Sequence, residues 1–155
     1  MYANDGFREL DRQECLRLLA EVPVGRIVHT HRALPAVLPV NFSLDPPGLP
    51  YGENAGAHVV VCTSAASELA RAADGSPVAF EADEIDAAAH AGWSVVVIGR
   101  AAVVTDPAEH ARLRRTGPDP WAPSPDGVFI RIATTLVTGR RLVGGRTLYG
   151  VDLSG

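Results

Sequence analysis

The chain has 155 residues, 46% of them hydrophobic and 21% charged, which fits one globular domain built around one core. Its net charge is −4 and all 14 cationic side chains are arginine, so it lacks the basic stripe that nucleic acid binding needs. No apolar run approaches the roughly 18 residues of a membrane span, and the polar stretch 1–12 has no apolar core of the kind a leader carries.

The first predicted element is a helix opened by a capping box, in which Asp11 accepts an early backbone N–H and Glu14 reaches back. Leu10 and Cys15 are placed to staple its start, and Cys15, Leu18, Leu19 and Val22 share one face. Pro23 ends it. Gly25–Thr30 and Pro35–Leu44 read as strands joined by a short polar turn, with Pro39 arguing for an edge position or a bulge. A proline- and glycine-rich loop follows from Asp45 to Ala57. Then come a β-branched strand at His58–Thr63, a short helix at Ser64–Ala73 capped by Ser64, and a strand at Pro77–Asp83. An acidic, alanine-rich loop is expected as far as Gly92.

Trp93–Thr105 is apolar on both alternating faces, so both faces must be covered; Gly99 marks a bulge or a bend. One side fills a lumen, and the other meets a helix or a second subunit through Val96, Ile98 or Val104. Asp106, Pro107 and Glu109 open another helix. A proline-dense segment around Trp121 precedes the last strands, Val128–Ala133 and Leu136–Leu142, and the tail from Val143 is expected to be weakly ordered. Six or seven short strands without strand–helix alternation exclude a doubly wound sheet and fit a small antiparallel barrel with flanking helices.

The chemistry is defined first by absences. There is no Gly-x-x-x-x-Gly-Lys, Gly-x-Ser-x-Gly, His-Glu-x-x-His or Cys-x-x-Cys. His29 and His31 have a spacing that metals use but no third ligand nearby, and strand-end or turn roles suit them better. The pair Cys15 and Cys62 makes neither a disulfide scaffold nor a zinc site, and a reduced, cytoplasmic protein is expected. No side chain stands out as acid, base or nucleophile, so no catalytic residue is named.

An ordered set of segments remains: V-P-V-G-R-I at 22–27, L-P-V-N-F at 38–42, C-T-S-A-A-S-E-L at 62–69 and P-V-A-F-E-A-D-E-I-D at 77–86. G-W-S-V-V-V-I-G-R-A at 92–101, P-W-A-P at 120–123 and V-T-G-R-R at 137–141 complete it. Together they resemble the pyridoxamine 5′-phosphate oxidase-like FMN-binding split β-barrels, in the small bacterial branch that includes nitroimidazole-resistance-type proteins.

The resemblance implies a mainly β, Greek-key type antiparallel split barrel, one domain over 1–155 with its core at 9–142 and weakly ordered tails. It also implies a homodimer with two FMN sites at the interface and an oxidoreductase acting on a small molecule. By the same resemblance, Pro39, Val40, Asn41 and Phe42 lie along the isoalloxazine ring. Thr63, Ser64 and Ser67 hold the phosphate, and Trp93 and Trp121 line the ligand pocket; Arg71, one turn along the helix from Ser67, is placed to pair with Glu68 or to reach the phosphate. Cys62 and Glu68 stand where many relatives carry cations. No second basic cluster is evident for a phosphorylated substrate, which argues against pyridoxamine-phosphate oxidation itself. Two other readings stay open: a deazaflavin-dependent reductase, and a flavin-free barrel acting as a small-ligand or protein-binding module.

Overall fold

Asp11 caps the first helix as its sequence demands, its carboxylate accepting from Glu14 N at 2.8 Å. The structure, a computed structural model, describes residues 6–48, 56–121 and 125–143. In chain order the elements are β1 (Phe7–Leu10), α1 (Arg12–Leu19), β2 (Val24–His31), β3 (Leu34–Asp45), β4 (His58–Ser64) and α2 (Glu68–Ala73). They continue with β5 (Pro77–Asp86), β6 (Ala91–Val103), α3 (Pro107–Thr116), β7 (Gly127–Ala133) and β8 (Leu136–Leu142). The sequence expectation that the core begins at Glu9 is corrected to Phe7, because β1 pairs with β8 from Phe7↔Leu142 to Leu10↔Gly139. The expected loop before Gly92 is also shorter: β5 runs on to Asp86 and pairs with β6 as far as Asp86↔Ala91. The expected tail lies outside the described residues beyond Val143.

The strand order is β1-β8-β6-β5-β2-β3-β4-β7, and β7 also pairs with β6. Six strands therefore close a ring, and β8 and β1 extend it as a flap. All pairings are antiparallel. β6 serves two sheets, pairing with β5 and β8 over its first part and with β7 from Ala101. Gly99 sits at the change of partner, and a Cβ there would fall on the Ala133 carbonyl oxygen. The glycine at this position thus has a steric cause.

Ile27, Phe80, Val95, Val97, Ile130 and Ile132 are fully buried inside the ring. Phe42 meets Phe80 edge-on, 4.7 Å between ring centroids, and Gly25 leaves room for the Phe80 ring. α1 packs Cys15, Leu18 and Leu19 into this core. A second cluster forms outside the ring, where Val104, Val60 and Phe129 lie with Leu113 of α3. The expectation that Val104 faces a second subunit is corrected here, since it is 6% exposed and belongs to that buried cluster. α3 is tied down by a triad of two buried carboxylates and a partly exposed guanidinium: Arg112 Nη2 lies 2.6 Å from Asp45 Oδ2, and Arg112 Nε donates to Glu109 Oε2 at 3.1 Å. Both hydrogen-bonded carboxylates raise the Arg112 proton affinity further.

His29 is 3% exposed, and neither ring nitrogen has a hydrogen-bond partner. Among the described residues no helix is long and apolar enough to cross a membrane, and no group of His, Cys, Asp and Glu is arranged to hold a metal ion.

Candidate functional site at the parting of β3 and β4

The ladder between β3 and β4 runs only from Phe42↔Val61 to Asp45↔His58. Towards its N-terminus β3 pairs with β2 alone, through Arg26↔Pro39 and Ile27↔Leu38, while β4 past Val61 pairs with β7. The two strands part, and a seam opens in the ring. Leu38 shows the consequence. It shares the inward side with its fully buried partner Ile27, yet is 42% exposed because, among the described residues, no strand pairs with β3 on its other side there.

The sequence-predicted residues fall on the two banks of this seam. Pro39, Val40, Asn41 and Phe42 form one bank, with Pro39 exposed, Asn41 half-buried, and Val40 and Phe42 buried. Thr63, Ser64 and Ser67 form the other, all half-buried, with Arg71 exposed one helical turn further on. The Asn41 amide donates to the backbone carbonyl of Asp119, which brings the segment after α3 to the seam. Trp121, 63% exposed, follows two residues later. Residues 122 and 123 of the P-W-A-P segment lie outside the described residues. Trp93 is elsewhere. It is 4% exposed beneath α1 and lines a separate cleft of about 400 Å³ with Arg17, Leu18, Glu84 and Arg141.

The β4–α2 turn departs from its predicted form. The expected cap at Ser64 is corrected to Ser67, whose hydroxyl accepts from Ala70 N at 3.0 Å. Ser64 Oγ instead donates to Asp126 Oδ2 at 3.1 Å and accepts from Ala66 N at 3.3 Å. Thr63 Oγ1 donates to Ser67 Oγ at 3.1 Å. Arg71 reaches back to the Ala66 carbonyl at 3.1 Å, so its guanidinium lies beside the turn. Glu68, the first residue of α2, pairs with His31 Nε2. The donor set is thus three hydroxyls and one guanidinium, opposed by the carboxylates of Glu68 and Asp126.

Cys62 borders the same bank, and burial pushes its thiol up, which leaves it a poor nucleophile. Arg100, on the far part of β6, donates to the Gly75 carbonyl rather than to this turn. Sequence reasoning missed Asp126, Asp119 and the partnership of His31 with Glu68. The first is found only from the pairing Ser64↔Gly127, which puts Asp126 beside the turn.

Residues 11–141 match the family model described as pyridoxamine 5′-phosphate oxidase. The chain is 39% identical over 135 residues to an uncharacterized protein of Mycobacterium tuberculosis, covering 87% of this chain and 85% of that one. It is similar to the solved structure of an FAD binding protein from Mycobacterium smegmatis: 33% identity, TM-score 0.66, 86% of this chain and 96% of that one covered. A conserved protein of unknown function from Corynebacterium diphtheriae matches with 32% identity and a TM-score of 0.73, covering 90% of this chain and 100% of that one.

Proposed function

Because the chain belongs to the pyridoxamine 5′-phosphate oxidase family, we propose that it binds a flavin nucleotide at the β3–β4 seam and works as a flavin-dependent oxidoreductase on a small molecule. The observation that carries this reading is the seam itself. A planar apolar ring suits the uncovered edge of β3 beside Leu38 and Pro39, and an anionic phosphate suits the hydroxyls of Thr63 and Ser67 with Arg71. Asn41 positions the Trp121 segment at the ring edge. When bound, the flavin supplies the electron chemistry; the chain orients it and excludes water.

FMN and FAD share the ring and the first phosphate, and the FAD binding relative keeps both in view. The test is titration of the purified protein with FMN, FAD, riboflavin and a deazaflavin, followed by fluorescence quenching. Saturable binding of FMN or FAD, with riboflavin weaker, is the expected result. No binding by any of them overturns the reading in favour of a flavin-free barrel, and a preference for the deazaflavin reassigns the cofactor. Glu68→Lys is expected to raise FMN affinity about tenfold, because it exchanges a repulsion for a charge-assisted hydrogen bond. The gain shrinks with added salt and is absent for riboflavin. An equal gain for both places Glu68 away from the phosphate.

The second part of the proposal is a homodimer. Val28 on β2 pairs with Val37 of β3 and with Ala79 of β5, Ala79 pairs with Ile98 of β6, and Ile98 with Leu136 of β8. Directly opposed residues share a face, so five strands carry one apolar row on the outside of the sheet. Val37, Ile98 and Leu136 are 60%, 44% and 52% exposed. A row of this kind favours burial against a second copy. Ile98→Arg is expected to convert a dimer at micromolar concentration into monomers by sedimentation, with circular dichroism unchanged. A wild-type monomer at that concentration sinks this part alone.

A further inference from the structure

One step along the strands from the apolar row, the same face carries Pro39, Arg26, Glu81, Val96 and Thr138, again in register. Glu81 stands in the middle. Its Oε1 is buried without a hydrogen-bond partner, although its side chain as a whole is 31% exposed. Asp83, two residues along the same strand, points to the same side.

One cation serves both carboxylates. Arg26 Nη1 lies 3.5 Å from Asp83 Oδ2 and 3.9 Å from Glu81 Oε1, so it favours Asp83. The neighbours that flank the pair directly are uncharged. β6 places Val96 opposite Glu81 and Ser94 opposite Asp83, and β2 flanks Arg26 with Val24 and Val28. Beyond them are Pro39 on β3 and Thr138 on β8, both uncharged, and Arg140 of β8, which stands opposite Ser94 and lies over the Phe7 ring, 4.4 Å from its centroid.

We infer that Glu81 gates self-association by its proton: the face closes on a second copy of this chain when Glu81 is protonated and opens when it ionises. The inference rests on the homodimer reading above. A second copy is the occupant the face suits by size. Five strands about 4.8 Å apart and roughly 26 Å long give a patch of about 500 Å² in flat projection; the side chains standing on it make its accessible surface larger, towards the roughly 800 Å² per partner of a standard interface. Covering that patch removes the remaining water from a carboxyl that already has an orphaned oxygen, and a desolvated carboxylate is disfavoured relative to its acid.

The proton is available near neutral pH. Burial, with the hydrogen bond and negative charge of Asp83, pushes the Glu81 carboxyl up to about 7, against the opposing pull of Arg26. Association raises it further. A carboxyl whose proton affinity rises on association favours the dimer fully below its value in the monomer, and that advantage is lost as pH rises through its value in the dimer. Association is therefore independent of pH in acid and weakens above about pH 7.

Sedimentation of the full chain from mildly acidic to mildly alkaline pH tests this. The dissociation constant is expected to be flat in acid and to climb above neutrality by up to about tenfold per pH unit for each proton taken up, or about a hundredfold for a symmetric pair. Glu81→Gln should dimerise tightly and without pH dependence. Asp83→Asn, which removes the neighbouring negative charge, should move the wild-type midpoint to lower pH and guards against misfolding of the first variant. A Glu81→Gln dimer that keeps the wild-type slope overturns the gate while leaving the dimer standing. Tightening with rising pH also overturns it and points to an ion pair between Glu81 and Arg100 of the second copy. Monomers at every pH in wild type and both variants overturn the gate and the homodimer together.

Discussion

Replacing Arg112 with alanine is expected to cost about 3–5 kcal/mol of stability, because it strands two buried carboxylates without their cation. Asp45 and Glu109 are each 6% exposed, so water cannot take over the hydrogen bonds that Arg112 makes at 2.6 Å and 3.1 Å. For a chain of this size the loss corresponds to a melting temperature lower by roughly 6–20 °C. Urea unfolding monitored by circular dichroism measures it. The comparison that isolates charge is a variant carrying Asp45→Leu, Glu109→Leu and Arg112→Met together. Apolar replacement of a whole buried ion group is often neutral or stabilising, so this variant should recover most of the loss. A drop under about 1 kcal/mol for Arg112→Ala would mean the triad behaves as a surface group.

Gly99→Ala is expected to lose about 3 kcal/mol, the upper end of what overpacking usually costs. The obstacle is the backbone oxygen of Ala133 rather than the tip of a side chain, so no rotamer change relieves it. Relief requires moving β6 away from β7 just before their first pair, Ala101↔Ile132, and that pairing closes the ring. Denaturant titration gives the magnitude, and a change of slope as well as midpoint would show that the ring opens before the rest unfolds. Unchanged stability would mean that β6 can change partners without close contact at Gly99.

The helix starts and the doubly apolar strand were legible because their signals are local. Asp11 with Glu14, and Asp106 with Pro107 and Glu109, need only three residues of context, and both helices begin where those caps predict. The turn before α2 was misread because Ser64 and Ser67 are equally able caps. Asp126, 62 residues further on, decides between them by taking the Ser64 hydroxyl. β1 was missed because Phe7-Arg8-Glu9-Leu10 has no apolar alternation of its own and is a strand only because β8 pairs with it. The hairpin between β2 and β3 turns through Arg32 and Ala33, both at positive φ, where a type I′ turn normally announces itself with Asn or Gly. The two banks of the candidate site were named from the sequence. That they are the edges of one seam depends on where the β3–β4 ladder stops, a register that neither strand specifies alone.

The ring's connectivity also bears on how it is made. As the chain emerges during synthesis, the β2–β3 and β5–β6 hairpins can form at once from neighbouring residues. β4, with Val59, Val60 and Val61 in a row, gains its second neighbour only when β7 arrives. α1 packs against β6 and β8, and among the described residues β1 pairs with β8 alone, so these early elements wait for the last ones. Pairing over such sequence separations is slow, commonly milliseconds to seconds, and an apolar strand with an open edge is prone to aggregate meanwhile. Truncation within β7 or β8 should therefore harm yield far more than the few contacts removed would indicate, since the earliest parts of the chain then never acquire their partners.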